Sequence, residues 1–318
     1  MADDQPKFSF IIPLYNECEI YSELIIRLNN LIDKIQEPCE VVLIDDGSKD
    51  ITSLLMEETA YADPRYHCLF LSRNFGHQFA LSAGLEFVRG EFIMVLDGDL
   101  QDPPELFFEF YQKISEGYDV VYGVRKKRKE GLMKRASYFL FYRILKGISN
   151  YSIPLDSGDF AMMTRRVAKL IVKMPEQSRF IRGIRSWVGF KQIGLEYERQ
   201  ARGAGETKYT FKHLLKLGSD GIFNFSTFPI KLITYLGFIS VFSSFIYFLY
   251  TIYRKLYYHD VPSGFPALVF LIILFGGIQL ISIGIIGEYV QRIFSQVKNR
   301  PLYVVSKRVM NSKDVTDE

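Results

Sequence analysis

The sequence predicts an α/β domain with a mainly parallel sheet, followed by a helical hairpin that crosses a membrane. Within the first 125 residues, short apolar runs alternate with segments of helical periodicity, and this alternation is typical of parallel strands covered by helices. Nearer the C-terminus, two runs of about 20 or more residues carry almost no charge, and such runs cross roughly 30 Å of hydrocarbon as helices. A chain of 318 residues has room for both parts.

Five strands are predicted from apolar runs bounded by turn residues. They are Phe8–Pro13, Val41–Ile44, Cys68–Leu71, Phe92–Leu96 and Val120–Tyr122. Helical spacing of apolar residues predicts helices over Ile20–Ile35 and Gln78–Val88. In parallel sheets ligands bind beyond the carboxyl ends of the strands, so we expect the functional site at that edge.

Beyond the fifth strand the pattern is mixed. It predicts helices over Tyr138–Ile148 and Val167–Met174 and a strand over Gln192–Tyr197. Tyr209–Phe225 interleaves apolar side chains with lysine and histidine, which predicts an amphipathic helix lying on the membrane. An ordinary surface helix is the alternative.

Two membrane helices are predicted at Ile230–Tyr253 and Phe265–Ile286, with a buried soluble hairpin as the alternative. Lysine and arginine are frequent before the first run and after the second, whereas Arg254 and Lys255 alone flank the loop. We therefore expect both chain ends in the cytoplasm. The expected organisation is a cytoplasmic α/β domain, an interfacial helix region, a transmembrane hairpin and a cytoplasmic tail, at residues 1–208, 209–228, 229–290 and 291–318. The tail is expected to be polar and mobile after Tyr303.

Composition narrows the environment and the partners. Cys18, Cys39 and Cys68 show no paired or metal-type spacing, which fits a reducing cytoplasm. The N-terminus has no apolar signal core, so export by cleavage is not expected. A net charge of +3 is too small to predict nucleic-acid binding.

The strongest local signal is a pair of carboxylates, Asp97 and Asp99, at the end of the fourth predicted strand. Two like charges there favour a hard divalent ion such as Mg²⁺ or Mn²⁺, which takes oxygen ligands from one or two carboxylates. The alternative is a polar turn into the next helix, with Asp102 as N-cap and Pro103 in the first turn.

Three segments in order, Ile11–Glu17, Val41–Ser48 and Leu96–Pro104, resemble the inverting glycosyltransferases of family 2, which have the GT-A nucleotide-sugar fold. The resemblance runs from about Phe8 to Tyr209. It implies a group of residues around the donor nucleotide: Pro13, Tyr15, Glu17, Asp45, Asp46 and Asp97. An aspartate accepts the imide N–H of uracil, and a tyrosine ring covers its face. The alternative is that Pro13 only ends a strand and Asp46 only forms a turn.

Arg73–His77 and Asp97–Pro104 resemble the polyisoprenyl-phosphate glycosyltransferases, a subgroup that includes bactoprenol glucosyltransferases and dolichol-phosphate-mannose synthase. This resemblance implies inverting sugar transfer onto a polyisoprenyl phosphate at the cytoplasmic face of the inner membrane. UDP-glucose is the expected donor, with UDP-N-acetylglucosamine and GDP-mannose as alternatives. Mg²⁺ or Mn²⁺ is the expected cofactor, with Asp97, Asp99 and Gln101 as its ligands.

The same resemblance assigns the acceptor phosphate to basic side chains, namely Arg125, Arg128, Arg135, Arg202 and Lys208. Charge-assisted hydrogen bonds are the physical basis, and a solvated basic face near anionic lipid is the alternative for residues 125–135. Leu155–Phe160 matches the segment in which the family keeps an acidic residue near the acceptor, so Asp156 or Asp159 is expected there, with a simple turn as the alternative. Ala161 stands where many relatives carry arginine, and Arg179, Arg182 and Trp187 either line the acceptor side or pack on the domain.

Other function classes are less well supported. A processive polysaccharide synthase normally carries a Gln-x-x-Arg-Trp motif and more membrane crossings, whereas here Gly183 follows Arg182. A membrane scaffold with a degenerate transferase domain is disfavoured by the presence of Asp97 and Asp99. Glycines in the second apolar run permit close helix packing and a homo-oligomer: Gly276, Gly277, Gly284 and Gly287.

Overall fold

The structure is a computed structural model that describes residues 5–125, 157–198, 228–258 and 264–315. The strands within these ranges are β1 Phe8–Leu14, β2 Cys39–Asp45, β3 Tyr66–Leu71, β4 Phe92–Val95, β5 Val120–Arg125, β6 Ser157–Thr164, β7 Gln192–Tyr197, β8 Val305–Met310 and β9 Lys313–Val315. The helices are α1 Cys18–Ile32, α2 Thr52–Ala62, α3 His77–Phe87, α4 Phe107–Ser115, α5 Arg165–Lys173, α6 Ile181–Trp187, α7 Phe228–Tyr258 and α8 Phe265–Val297.

The strands form one sheet in the order β7-β5-β6-β4-β1-β2-β3-β8-β9. Its four central strands, β4, β1, β2 and β3, are parallel, whereas β6 and β8 run antiparallel to the strands beside them. The predicted α/β class with a parallel centre is confirmed. The carboxyl ends of β1, β2 and β4 therefore meet at one edge, where the predicted site residues fall.

The central strands form because they are mostly apolar and almost entirely buried. Every residue of β1 is buried, as expected for a strand covered on both faces. Phe10 faces one core, and Ile11 faces the other. On the second face, α3 lies very close to the sheet, because a Cβ on Gly84 would stand 2.5 Å from a methyl of Ile11. This close packing fixes the N-terminus of α3 beside the site.

The sequence located most of these elements. All five predicted strands are present, β7 has the predicted bounds, and α1, α3 and α5 agree with prediction within a few residues. The predicted helices Tyr138–Ile148 and Tyr209–Phe225 lie outside the described residues.

The segment around Asp159 is part of a strand, β6, so the simple turn considered for Leu155–Phe160 is wrong over residues 157–160. β6 lies between β4 and β5 and pairs antiparallel with both. Phe160, Ala161 and Met162 are fully buried, and their burial outweighs the turn tendency of the preceding glycine and aspartate. Asp159 is thereby carried into the interior of the domain.

The expected mobile tail is also corrected. α8 continues past the predicted apolar run, which ends at Ile286, as far as Val297, because charged residues do not break a helix. Within this extension, Arg292 pairs with Glu288 one turn earlier at 2.9 Å. The chain then returns to the sheet, where β8 pairs with the edge of β3. Val309 is fully buried, and the N–H of Ser72 donates to the carbonyl of Val304 at 2.9 Å.

Within the described ranges, two helices have the length and composition needed to cross a membrane. Their apolar stretches are Pro229–Tyr257 and Leu268–Val297, with mean hydropathy of 1.9 and 2.6. No part of their most apolar windows is buried inside the protein. The alternative of a buried soluble hairpin is therefore disfavoured for these helices.

Candidate active site

The predicted acidic pair lies at the carboxyl edge of the sheet, directly after β4. Asp97 and Asp99 are both partly exposed, and Asp99 accepts a hydrogen bond from the N–H of Gln101 at 3.2 Å. Between them, Gly98 packs against the end of β1, where a Cβ would stand 2.4 Å from a methyl of Leu14. The two carboxylates are therefore held on a tight loop whose position is fixed by the sheet.

Asp159 is the hub of a polar cluster beside this pair. Its side chain is 4% exposed, and its Oδ2 accepts a hydrogen bond from Nε2 of Gln78 at 2.9 Å. Nε and Nη2 of Arg182 approach the two carboxylate oxygens at 3.3 Å each. Nε2 of His77 lies 3.5 Å from Oδ2 of Asp159. Three elements, α3, β6 and α6, are thus joined at one carboxylate.

His77 links this hub to the acidic pair. Its Nε2 also lies 3.5 Å from Oδ1 of Asp97. Burial lowers the pKa of His77, but the hydrogen bond to Asp159 and the charge of Asp97 outweigh burial and raise it. Burial raises the pKa of Asp159, but Arg182 and His77 outweigh it and hold that pKa well below its usual range. Asp159 is therefore an ionised carboxylate at neutral pH.

Negative charge is concentrated at Asp97. Burial raises its pKa to about 6; His77 offsets part of that rise, while Asp102 and Asp99 add to it. A divalent cation bound by Asp97 and Asp99 would relieve this repulsion, so the donor set fits Mg²⁺ or Mn²⁺. Across the described ranges, no three His, Cys, Asp or Glu side chains gather as in a closed metal site.

Asp102 is not the helix cap that the sequence allowed. The turn Pro104–Leu106 is preceded by Pro103 and has no side-chain cap. Asp102 instead points inward, is 1% exposed and accepts a hydrogen bond from the hydroxyl of Tyr197. Its Oδ2 lies 3.9 Å from Nη2 of Arg125. The buried carboxylate thus anchors the arginine that ends β5.

The predicted acceptor residues divide between two groups. Arg125 is described: its Nε lies 3.5 Å from the hydroxyl of Tyr197, and a Cβ on Gly158 would stand 3.2 Å from its Nη2. It therefore lies next to the strand that carries Asp159. The remaining predicted residues lie outside the described part of the chain, namely Arg128, Arg135, Asp156, Arg202 and Lys208.

The predicted nucleotide residues surround the ends of β1 and β2. Pro13 is buried within β1, and Tyr15 and Glu17 are partly exposed in the loop that follows. That loop is bonded to the one after β2, because the N–H of Asn16 donates to the hydroxyl of Ser48 at 3.0 Å. The geometry brings these residues to one edge, and their contacts with a nucleoside stay predictions.

The two aspartates at the end of β2 hold neighbouring backbone. Asp45 accepts a hydrogen bond from the hydroxyl of Ser53 at 2.6 Å. Asp46 accepts from the N–H groups of Phe75 at 2.7 Å and Gly76 at 2.9 Å. Burial raises the pKa of Asp46, and these two backbone donors lower it in part. Asp46 thereby fixes the segment that leads into His77 at the start of α3.

Sequence reasoning gave no role to His77 or Gln78 and left that of Arg182 open. The only signal was the Arg73–His77 segment, which carried a resemblance but no stated chemistry. Arg185 was also missed: it is 1% exposed, its Nη2 lies 3.4 Å from the carbonyl of Gly158, and burial lowers its pKa to about 10. These side chains contact Gly158 and Asp159 at the start of β6.

Residues 9–171 match the protein-family model described as glycosyl transferase family 2. The chain belongs to this family. It is 44% identical over 302 residues to the uncharacterized glycosyltransferase YkcC of Bacillus subtilis, covering 95% of this chain and 94% of that protein. It is 37% identical over 302 residues to the prophage bactoprenol glucosyl transferase homolog of Escherichia coli, covering 95% and 99%. The S. aureus TarS 1-349 structure in complex with UDP-GlcNAc is 19% identical, with a TM-score of 0.45, over 69% of this chain and 67% of that chain.

Membership in family 2 confirms the resemblance read from Ile11–Glu17, Val41–Ser48 and Leu96–Pro104. The α/β domain is a GT-A-like fold with a mostly parallel central sheet. This family 2 protein is a glycosyltransferase enzyme, and two apolar helices follow its catalytic domain.

Proposed function

We propose that this glycosyltransferase moves a sugar, glucose from UDP-glucose in the first place, with inversion onto a polyisoprenyl phosphate at the cytoplasmic face of the inner membrane. The relative named a bactoprenol glucosyl transferase homolog aligns along almost its whole length, which supports a lipid phosphate as the acceptor. The two apolar helices support a membrane location.

One observation carries the proposal: the residues around His77, which we call the cleft, divide into an acidic side and a basic side. Asp97 and Asp99 stand on one side, and Asp159 holds the guanidinium of Arg182 on the other. Two anionic substrates repel each other, so their reaction needs positive charge at both phosphates. A cation on the acidic side and arginine on the basic side meet that need.

On the donor side, Asp97 and Asp99, with Gln101, would hold Mg²⁺ or Mn²⁺. When bound, the ion supplies Lewis-acid stabilisation of the charge that grows on the departing nucleoside diphosphate. Pro13, Tyr15 and the loops at the ends of β1 and β2 would contain the nucleoside.

On the acceptor side, Arg125 and Arg182 would hold the lipid phosphate, together with the predicted basic residues beyond the described ranges. A phosphate monoester is already mostly a dianion at neutral pH, so its oxygen attacks the anomeric carbon without a strong base. Asp159 fits this requirement, because a carboxyl whose pKa is held well below its usual range accepts protons poorly. Its proposed role is to orient Arg182 and His77.

The test offers purified protein radiolabelled UDP-glucose, UDP-N-acetylglucosamine or GDP-mannose, together with polyprenyl phosphate and Mg²⁺ or Mn²⁺. The proposal predicts label in the organic phase, greatest with UDP-glucose. Greatest transfer from another donor would change the sugar alone, whereas label found only on water-soluble products would contradict the lipid acceptor.

Two variants accompany that test. Asp99→Ala should reduce transfer by at least about 100-fold, the scale for losing one group that stabilises transition-state charge. Asp33→Ala removes a carboxylate at the surface, where its side chain is 69% exposed, and should retain activity. Equal activity of the two variants would contradict the role of Asp99.

A further inference from the structure

The C-terminal end of α8 is hydrogen-bonded to the loop between α5 and α6. Oε1 of Gln296 accepts a hydrogen bond from the N–H of Gln177 at 2.9 Å, and its Nε2 donates to the carbonyl of Pro175 at 2.6 Å. Nε2 of Gln177 donates to the carbonyl of Arg300 at 2.8 Å. We call these three hydrogen bonds the glutamine clamp.

The same loop is fixed to the catalytic domain by Arg179, which is 7% exposed. Its Nη1 and Nη2 donate to the carbonyls of Met174 at 2.7 Å and Ile171 at 3.0 Å. Its Nε donates to the hydroxyl of Ser82 on α3 at 3.1 Å. The loop therefore connects α8 to α3 and α5 through hydrogen bonds.

α6 begins at Ile181, two residues after Arg179, and its first turn contacts the cleft residues. The N–H of Ile181 donates to Oε1 of Gln78 at 2.7 Å, and the other end of the Gln78 amide donates to Asp159 at 2.9 Å. Arg182, the next residue of α6, approaches Asp159 at 3.3 Å. Contacts no longer than 3.5 Å thus connect the end of a membrane-length helix with the basic side of the cleft.

We propose that Gln296 and Gln177 are positioning residues, whose clamp sets the place of Arg182 and Asp159 relative to the membrane surface. The inference rests on the proposed lipid acceptor, because a lipid phosphate reaches the enzyme at a depth that the bilayer fixes. A displacement of about 1 Å in a reacting group costs up to about 100-fold in rate. Loosening the clamp should therefore impair use of the lipid while leaving the nucleotide site intact.

The test compares Gln296→Ala with Gln291→Ala. Gln291 is the same residue type on the same helix and is exposed, which makes it a matched control. Gln296→Ala should lower kcat/KM for polyprenyl phosphate in vesicles by about tenfold, within the range that misplacement produces. UDP binding and the unfolding temperature should match those of Gln291→Ala. Hydrogen exchange of backbone amides 175–182 should become faster in Gln296→Ala alone.

Gln177→Ala removes only the hydrogen bond to Arg300 and should shift the same quantities less. Equal lipid kinetics and equal exchange in Gln296→Ala and Gln291→Ala would overturn the inference. Parallel loss of UDP binding and lipid transfer would also overturn it, since a general loss of structure would then explain both. If wild-type protein glycosylates no lipid, the proposed function fails, and exchange at 175–182 still shows whether the clamp holds α6.

Discussion

Replacing Asp159 by asparagine tests how much the charge of this carboxylate stabilises the folded protein. The substitution keeps the shape but removes the charge that pairs with Arg182 and His77. Breaking a buried ion pair by removing one partner costs about 3–5 kcal/mol. Because the Arg182 side chain is 24% exposed, water replaces part of that interaction, and we expect about 2–3 kcal/mol. For a domain of this size the unfolding temperature should fall by about 5–10 °C.

The assay is thermal unfolding of the detergent-solubilised protein at pH 7.5, with Asp119→Asn as the control. Asp119 also pairs with an arginine, but the Arg166 side chain is 60% exposed, so its loss should cost no more than about 1 kcal/mol. Because the pKa of Asp159 is lower in the folded protein than in the unfolded chain, its charge stabilises the folded state fully above the unfolded-state pKa near 3.9. This stabilisation is lost as the pH falls below that value. A shift at pH 7.5 no larger than that of Asp119→Asn would refute the reasoning.

Two further substitutions test the packing and the electrostatics around the site. Gly47→Ala and Gly117→Ala both place alanine at a positive φ, which costs about 1 kcal/mol of stability. Only at Gly47 would the added Cβ also clash with backbone, because it would stand 2.5 Å from the carbonyl carbon of Arg73. Chemical denaturation should therefore show the larger loss for Gly47→Ala, and equal losses would be inconsistent with that close approach. Burial lowers the pKa of His67, which lies beside Glu40 and Arg89, so the folded state favours the neutral imidazole. The folded protein is therefore most stable with respect to this group above about pH 6.5, and that stability is lost as the pH falls. Between pH 7.5 and 5.5 the unfolding temperature should fall less in His67→Gln than in the wild type, and an identical pH dependence would contradict the assignment.

The central sheet could be predicted from the sequence because β1 to β5 each contain a short, largely buried apolar run. Three strands, β6, β8 and the short β9, could not. β6 contains Gly158 and Asp159 near its start, which are typical of turns, and it forms a strand because it pairs with both β4 and β5. β8 has three polar residues in a row, Ser306 to Arg308, and forms a strand by pairing with the edge of β3. β6 and β8 depend on partners distant in sequence, which local patterns do not reveal.

The site residues also divide into those that a local sequence pattern predicted and those that depend on partners distant in sequence. Asp97 and Asp99 stood out because two carboxylates ended a strand. The contacts of Gln78 with Asp159 and Ile181 join residues 81 and 103 positions apart, so only the packing of α3, β6 and α6 creates them. Asp102 resembled a helix cap in sequence, but its buried contact with Tyr197 depends on β7 lying beside β5.

The most direct test of this account measures sugar transfer from labelled UDP-glucose to polyprenyl phosphate before and after exhaustive chelation. A cation held by Asp97 and Asp99 is central to the proposed chemistry. The account predicts that chelation stops the appearance of label in the lipid phase and that added Mg²⁺ or Mn²⁺ restores it in the wild type but not in Asp99→Ala. Undiminished transfer after chelation would contradict it.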